Sequence, residues 1–292
     1  LFAPTLTFNM KVFTLATELL SIQAENPQRK IAFIPTMGAL HEGHLSLVEN
    51  AQQNGYVTVV SIFINPLQFN NLSDLEKYPR TLEHDLALLE AQGVDFVFTP
   101  TNEEMYPTTT ADVVVDLGLL DSRFEGACRP GHFHGVVQVV YRLFHYVQPH
   151  VVFFGEKDLQ QCLVIEQLVL QHFPEIDMQR VPTKREVSGL AMSSRNMRLT
   201  KNGLETAAAI YRSLSAIIVN LTDIDARLAF EKQKLTSLGF DVEYLSCVSL
   251  PFMDEVSGKQ LDNQSDASKK GKYAVVFAGS LEGVRLIDNL VF

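Results

Sequence analysis

The chain has 292 residues, 46% hydrophobic and 20% charged, which is apolar mass enough for one large or two ordinary domains of a globular protein. Its formal net charge of −10 disfavours a broad nucleic-acid footprint, so an anionic substrate needs a local positive pocket in a negative protein. The three cysteines, Cys128, Cys162 and Cys247, are odd in number and share no close spacing, which argues against a disulfide framework or zinc ribbon and for the reducing cytoplasm.

Taken from the start, LFAPTLTFNMKVF lacks the basic and apolar regions of a secretory leader, and Met10 is a candidate start with residues 1–9 upstream or extraneous. No apolar run reaches the roughly eighteen residues of a membrane span. KIAFIP (30–35) reads as a short buried strand and HLSLVENAQQNG (44–55) as a helix ended by glycine. YVTVVSIFIN (56–65) is β-branched and continuous, the mark of a strand covered on both faces. TLEHDLALLEAQG (81–93) puts Leu82, Leu86 and Leu89 on one helical face, and VDFVFTP (94–100) follows as a strand. FHGVVQVVYRLFHYVQP (133–149) is a helix stopped by Pro149, HVVFFGEKD (150–158) a buried strand with its turn, and LQQCLVIEQLVLQHF (159–173) the next helix. This alternation predicts an α/β fold: a Rossmann-like, doubly wound parallel sheet with right-handed crossovers.

Beyond about residue 186 the pattern changes. TKNGLETAAAIYRSLSAIIVNL (200–221), capped by Thr200, and IDARLAFEKQKLTSLG (224–239) read as helices. DVEYLSCVSL (241–250) reads as a strand and YAVVFAGSLEGVRLIDNLVF (273–292) as a hairpin, with the polar GKQLDNQSDASKKGK (258–272) a loop between them. The expectation is a nucleotide-binding domain over 1–186 and a smaller α+β lid domain over 187–292.

Chemistry concentrates where strands end. In FIPTMGALHEGH (33–44) a strand gives way through Pro35-Thr36-Met37-Gly38 to a helix beginning near Gly43-His44. A helix N-terminus is an anion site before any side chain is counted, and His41 and His44 add donors to it. Gly43 lets a bulky phosphate approach the backbone. The histidines are i, i+3 across a junction, which excludes the i, i+4 zinc-protease pair. FFGEKD (153–158) brings Lys157 and Asp158 to the same kind of strand end, the first toward phosphate and the second toward a ribose hydroxyl. LAMSSRN (190–196) offers Ser193, Ser194 and Arg195 as a clamp for outer phosphates. Gln68 and Gln161 follow strands and suit recognition of hydroxyl and carboxylate. His132 and His134 fit a loop and helix start better than a metal pair, and His145, His150 and His172 read as structural or solvent-facing.

PTMGALHEGHLSLV, VSIFINPLQF, YPRTLEHD, EGACRPGHFHGV, FFGEKDLQQ and GLAMSSRN, in that order over roughly residues 30–200, resemble the motifs of the pantothenate synthetase (pantoate–β-alanine ligase) family of HxGH nucleotidyltransferases, and RLIDN (285–289) extends the likeness. The resemblance implies an ATP- and Mg²⁺-dependent condensation of pantoate with β-alanine through a pantoyl-adenylate, releasing AMP and pyrophosphate, in a cytoplasmic homodimer. It implies that Met37, Gly38, Ala39, Leu40, His41, Glu42, Gly43 and His44 line ATP, with His44 as proton donor and His41 and Lys157 at the reacting phosphate. Gly155, Glu156, Lys157, Asp158, Met192, Ser193, Ser194 and Arg195 then complete the nucleotide site, and the Lys184 backbone lies near adenine. Gln68 and Gln161 hold pantoate with Asn65 and Arg129 nearby, and Asp85 stands near Mg²⁺. Two positions depart from the family: His84 precedes Asp85 where an acid is common, and Ser188 stands where aspartate is common before Gly189.

Overall fold

A computed structural model describes residues 10–69, 72–107, 111–219, 221, 223–257 and 271–292. In chain order the elements are β1 (Lys11–Phe13), α1 (Ala16–Glu25), β2 (Ile31–Thr36), α2 (Glu42–Gln53), β3 (Val57–Ile62), α3 (Leu72–Lys77), α4 (Leu82–Ala91), β4 (Phe96–Phe98), α5 (Asn102–Met105), α6 (Phe124–Cys128), α7 (His132–Val147), β5 (Val151–Gly155), α8 (Leu159–His172) and β6 (Asp177–Val181). Then come α9 (Lys201–Ala207), α10 (Ala209–Val219), α11 (Ile224–Ser237), β7 (Asp241–Ser249), β8 (Asp254–Glu255), β9 (Tyr273–Leu281) and β10 (Val284–Val291). Residues 1–9 and most of the loop expected at 258–272 lie outside the described residues. Among the described residues, no helix is long and apolar enough to cross a membrane.

The chain divides into two compact units. The first takes the described residues up to Leu117 with Arg129–Gly155 and Val164–Val181, and the second takes Gly118–Cys128, Glu156–Leu163 and Pro182–Phe292. The first unit carries a six-stranded parallel sheet in the order β1-β4-β3-β2-β5-β6. Its centre forms from three strands covered on both faces: Ile31–Ile34, Val57–Ser61 and Val151–Phe154 are all buried, Thr58 and Ser61 being their polar members. Ala32, Ile34, Val60 and Phe153 pack on one face against Leu45 and Val48 of α2 and Leu89 of α4. On α7, Phe144 meets Phe33 edge-on at 6.3 Å between ring centroids, and Phe154 at 6.5 Å. Truncating such a buried ring costs about 3–5 kcal/mol. The strand order reverses between β2 and β5, and in open α/β sheets ligands bind beyond the carboxyl ends of strands at such a switch point.

The second unit carries an antiparallel sheet in the order β10-β9-β7-β8. A core of Leu214, Ile217, Leu235, Phe240, Phe277 and Leu286, among others, joins α10 and α11 to it. β9 and β10 meet in a two-residue turn at Glu282 (φ 53°) and Gly283 (φ 72°), the I′ geometry whose twist suits a hairpin. Glu282 is an unusual residue for such a turn. Its carboxylate accepts from the Thr200 N–H at 2.8 Å and the Thr200 hydroxyl at 2.6 Å, tying the hairpin to the start of α9. The helix predicted over 200–221 is divided by a turn at Ala208 into α9 and α10.

Candidate active site

β2 ends at Thr36, whose hydroxyl donates to the Ser61 carbonyl at 2.7 Å and accepts from the Gly38 N–H at 3.2 Å. The backbone then reverses through Gly38 (φ 79°) and Ala39 (φ 50°). A Cβ on Gly38 would stand 3.0 Å from Asp85 Oδ2 and 3.1 Å from Ile62, so both the conformation and the space call for glycine. Asp85, 1% exposed, holds this reversal from α4. Its Oδ2 accepts from the Ala39 N–H at 2.9 Å and its Oδ1 from the Leu40 N–H at 2.8 Å, and the Thr81 hydroxyl lies 3.1–3.2 Å from both oxygens. The carboxylate expected near Mg²⁺ therefore has both oxygens committed to the turn that carries the histidines.

The histidines cap α2 reciprocally. His41, in extended conformation before the helix, accepts the Gly43 N–H at Nδ1 at 3.1 Å. His44 Nδ1 accepts the His41 N–H at 3.3 Å, and the two rings lie 4.1 Å apart between centroids. A backbone N–H only donates, so each Nδ1 is an acceptor and each neutral ring carries its proton on Nε2. The motif thus sets both imidazoles in one tautomer, each offering a donor at the end away from the backbone.

Beside the turn, the 66–68 segment after β3 carries a buried amide cluster. The Leu67 N–H donates to Asn65 Oδ1 at 3.2 Å, and the Tyr106 hydroxyl donates to the same oxygen at 2.6 Å. Asn65 Nδ2 donates to the Gly135 carbonyl at 3.0 Å and to Gln68 Oε1 at 3.1 Å. Leu67 N–H can only give and the Gly135 carbonyl can only accept, so the Asn65 amide has one orientation and its capacity is filled. That occupies the Gln68 oxygen and turns its Nε2 toward Met37 Sδ at 2.8 Å. Gln68, 7% exposed, consequently presents donors.

α7 presses against this segment so closely that a Cβ on Gly135 would lie 2.2 Å from the Leu67 carbonyl oxygen. His132, the first residue of α7, donates from Nδ1 to the Gln68 carbonyl at 2.9 Å and accepts from Arg129 at Nε2 at 3.2 Å. Arg129 also reaches the Gln68 carbonyl at 3.4 Å. The structure thus brings Met37, Asn65, Gln68 and Arg129 together. It adds Tyr106, which lies outside every quoted motif, and His132 and Gly135, which lie inside EGACRPGHFHGV. Burial raises the Tyr106 hydroxyl above its ordinary range although Arg142, 5.0 Å over its ring, opposes this, so it stays a donor. His134 lies apart, exposed, 3.4 Å from Asp112.

In the second unit, Glu156–Asp158 form a tight turn into α8. Lys157 Nζ lies 3.4 Å from Asp158 Oδ1. Of the DLQQ pair, Gln160 is the buried one: it donates to the Leu120 and Arg123 carbonyls at 2.6 and 2.9 Å and accepts from the Glu125 N–H at 3.0 Å. Gln161 is half-buried. Residues 184–192 form a hairpin in which the Lys184 carbonyl accepts the Met192 N–H at 3.0 Å. Ser188 Oγ accepts the Leu190 N–H at 3.4 Å, so serine closes this turn without a carboxylate. Ser193 caps the turn at Ser194–Arg198 by accepting the Arg195 N–H at 3.3 Å, which places Ser193, Ser194 and Arg195 on one loop.

The EGACRPGH stretch divides between the units. Its first part is fixed in the second unit, where Arg285 bonds both Glu125 oxygens at 2.6 and 2.8 Å and Glu243 at 2.7 Å, and Tyr244 donates to Glu125 at 2.7 Å. Glu243 reaches this network from a bulge between Val242 and Tyr244 in β7. Among the described residues, no three His, Cys, Asp or Glu side chains converge as a protein-held metal requires.

Residues 11–291 match the family model described as pantoate-beta-alanine ligase. A pantothenate synthetase of Cytophaga hutchinsonii is 44% identical over 275 residues, covering 92% of this chain and 94% of that protein. Among solved structures, the pantothenate synthetase of Thermus thermophilus is similar with a TM-score of 0.86 and 40% identity, covering 97% of this chain and 99% of that one. The pantoate-beta-alanine ligase of Francisella tularensis, complexed with beta-gamma ATP and beta-alanine, is similar with a TM-score of 0.78 and 34% identity, covering 97% of each chain.

Proposed function

Because the chain belongs to the pantoate-beta-alanine ligase family, and so joins pantoate to β-alanine in pantothenate biosynthesis, we propose that ATP activates pantoate as a pantoyl-adenylate. An amine cannot displace oxide from a carboxylate. In the proposed first step a pantoate carboxylate oxygen bonds to the α-phosphorus of ATP as the bond to pyrophosphate breaks. In the second, the neutral amine of β-alanine attacks the acyl carbon, AMP leaves, and the amine loses its proton. The ATP and β-alanine of the Francisella relative support this choice of substrates.

The observation that carries the reading is the tautomer of the imidazole pair. Two Nδ1 atoms held by backbone N–H groups favour Nε2–H donors, and charge moving toward the α,β-bridge is what such donors stabilise. His44 then donates its Nε2–H as a hydrogen bond toward that bridge, with His41 beside it and Met37–Gly43 lining the nucleotide. Gln68 offers its NH₂ to a pantoate oxygen and Gln161 a second amide. Asn65 and Arg129 support Gln68. From the second unit Lys157, Ser193, Ser194 and Arg195 bind outer phosphates, Glu156 and Asp158 the sugar side with Gly155 of the first unit, and Lys184 and Met192 the adenine edge by backbone. Mg²⁺ neutralises triphosphate charge when bound. We assign it to phosphate oxygens and water, as Mg²⁺ prefers, because Asp85 is engaged elsewhere. A cytoplasmic homodimer completes the proposal, checked by sedimentation and fractionation.

The test is AMP and pyrophosphate release over a panel of hydroxy acids and amines, with and without Mg²⁺ chelation. One AMP per pantothenate, requiring pantoate, β-alanine and Mg²⁺ together, is the expected result. Release of ADP and phosphate instead would overturn the adenylate route.

A further inference from the structure

We infer that Asp288 and Asn289, adjacent near the end of β10, are positioning residues for the adenylating step, an inference that rests on reading Lys157 and the 184–192 hairpin as ATP-binding. Asn289 is 5% exposed, and its Nδ2 donates to the Glu156 carbonyl and to the Lys157 carbonyl, each at 2.9 Å. Those two carbonyls belong to the peptide planes on either side of the Lys157 Cα. One NH₂ group therefore fixes both planes and, with them, the direction in which the lysine stem leaves the turn. The ammonium at the end of that stem lies 3.4 Å from Asp158 Oδ1. Its origin does not move.

Asp288, 4% exposed, does the same for the hairpin. Its carboxylate pairs with Arg185 through two bonds of 2.7 and 2.9 Å, and a bidentate guanidinium is held in plane as well as in place. Arg185 in turn donates to the Gly189 and Asn289 carbonyls, both at 3.1 Å, and lies 4.3 Å over the Tyr211 ring. Gly189 sits at φ 91°, where a Cβ would come 2.3 Å from that ring, so the hairpin closes directly on Tyr211. The Asn289 N–H, at 2.8 Å from Asp288 Oδ1, joins the two clamps. Two neighbouring residues of the last strand thus hold in register two segments that are about thirty residues apart in the chain. A pair serving only to stabilise the sheet has no need to grip both carbonyls around a lysine.

The test uses the full-length enzyme with Asn289→Leu, which keeps the branched side-chain skeleton and removes both donors. Pyrophosphate release from ATP and pantoate should fall about 100-fold, the scale of an ångström-sized misplacement, with a raised KM for ATP and an unchanged KM for pantoate. Aminolysis of synthetic pantoyl-adenylate by β-alanine should keep its wild-type rate. Equal loss in both half-reactions, or loss in neither, overturns the inference. If circular dichroism shows the leucine variant unfolded, Asn289→Ser, with one donor left, carries the same comparison at a smaller expected loss. Lys157→Met run alongside separates the two levels. Undiminished pyrophosphate release there removes the reading of Lys157 and this inference with it, whereas loss there and none in Asn289→Leu sinks only the inference.

Discussion

In the first unit the candidate groups grow out of a buried strand, and side-chain ends are held as well as backbone: backbone N–H groups fix each imidazole and Asn65 the Gln68 amide, while Asp85 from α4 holds the turn and His132 the Gln68 carbonyl. In the second unit the cationic side chains rise from turns, and what is held is their backbone, by Asn289 at Lys157 and by Arg185 at Gly189. The first arrangement presets tautomer and amide orientation, so its donors need no reorganisation when charge develops. The second fixes only where a long cation starts, which suits a triphosphate whose oxygens move as bonds break. Substitutions that retain shape but change one hydrogen-bonding end should therefore act on rate in the first unit.

The largest effect is expected at His44. Asn in its place keeps an acceptor for the His41 N–H and removes the outer donor, so the turn survives and the charge stabilisation does not. The adenylation rate should fall about 10²–10³-fold, worth about 3–4 kcal/mol, with an unchanged thermal midpoint. A variant as fast as the wild type would mean that His44 only caps the helix, and the contrast between the units would lose its main support.

Asp85→Asn comes next. One carboxylate oxygen becomes an NH₂ facing a backbone N–H, so either Ala39 or Leu40 loses its acceptor. Hydrogen bonds to charged groups contribute about 1.5–3 kcal/mol each, and a loss of that order is expected in the adenylation barrier together with lower stability. The Mg²⁺ concentration for half-maximal rate should stay where it is. A large rise in it would make Asp85 a metal ligand after all and transfer this residue from holding to binding.

Gly135→Ala sharpens the same comparison through packing. The new methyl meets the Leu67 carbonyl, and overpacking of this kind costs about 1–3 kcal/mol. Because Leu67 adjoins Gln68, KM for pantoate should rise while KM for ATP holds.

The elements and groups that could be read from the sequence are those whose cause is local. β2, β3 and β5 are legible because burial on both faces requires an unbroken apolar run. β1 and β6, the two edge strands, have three residues and the polar stretch DMQRV, so nothing in their composition separates them from loop. α1 has only Leu19 and Ile22 buried, too thin an apolar stripe to announce a helix. His41 and His44 stand out since their spacing across a strand-to-helix junction is itself the signal. Tyr106 gives none, and Gly135 and Asn289 stand inside EGACRPGHFHGV and RLIDN with nothing to name their partners. Their partners lie 41, 70 and 132 residues or more away, and their meaning appears only when the fold brings Asn65 or Lys157 to them. Asp85 was visible as an acid in a family motif, but what its oxygens bind was not.

The smallest effect is expected at Glu282, whose carboxylate bonds Thr200 and no candidate residue, and it tests whether the second unit's connections act on stability alone. Its two bonds to Thr200 hold the Glu282 carboxyl below the usual carboxylate range. A group whose folded pKa is depressed contributes stability above its unfolded value, about 4.3, and loses that contribution as pH falls through the folded value. Glu282→Ala should therefore lower the thermal midpoint slightly at pH 7, with kcat and both KM values unchanged, and the gap should close as the pH is taken below about 4. A gap that persists in acid would mean that the side chain works through the I′ turn itself. A change in KM for ATP would mean that the hairpin end communicates with Asp288 and Asn289 along β10, and the clamp could no longer be treated as local to its two turns.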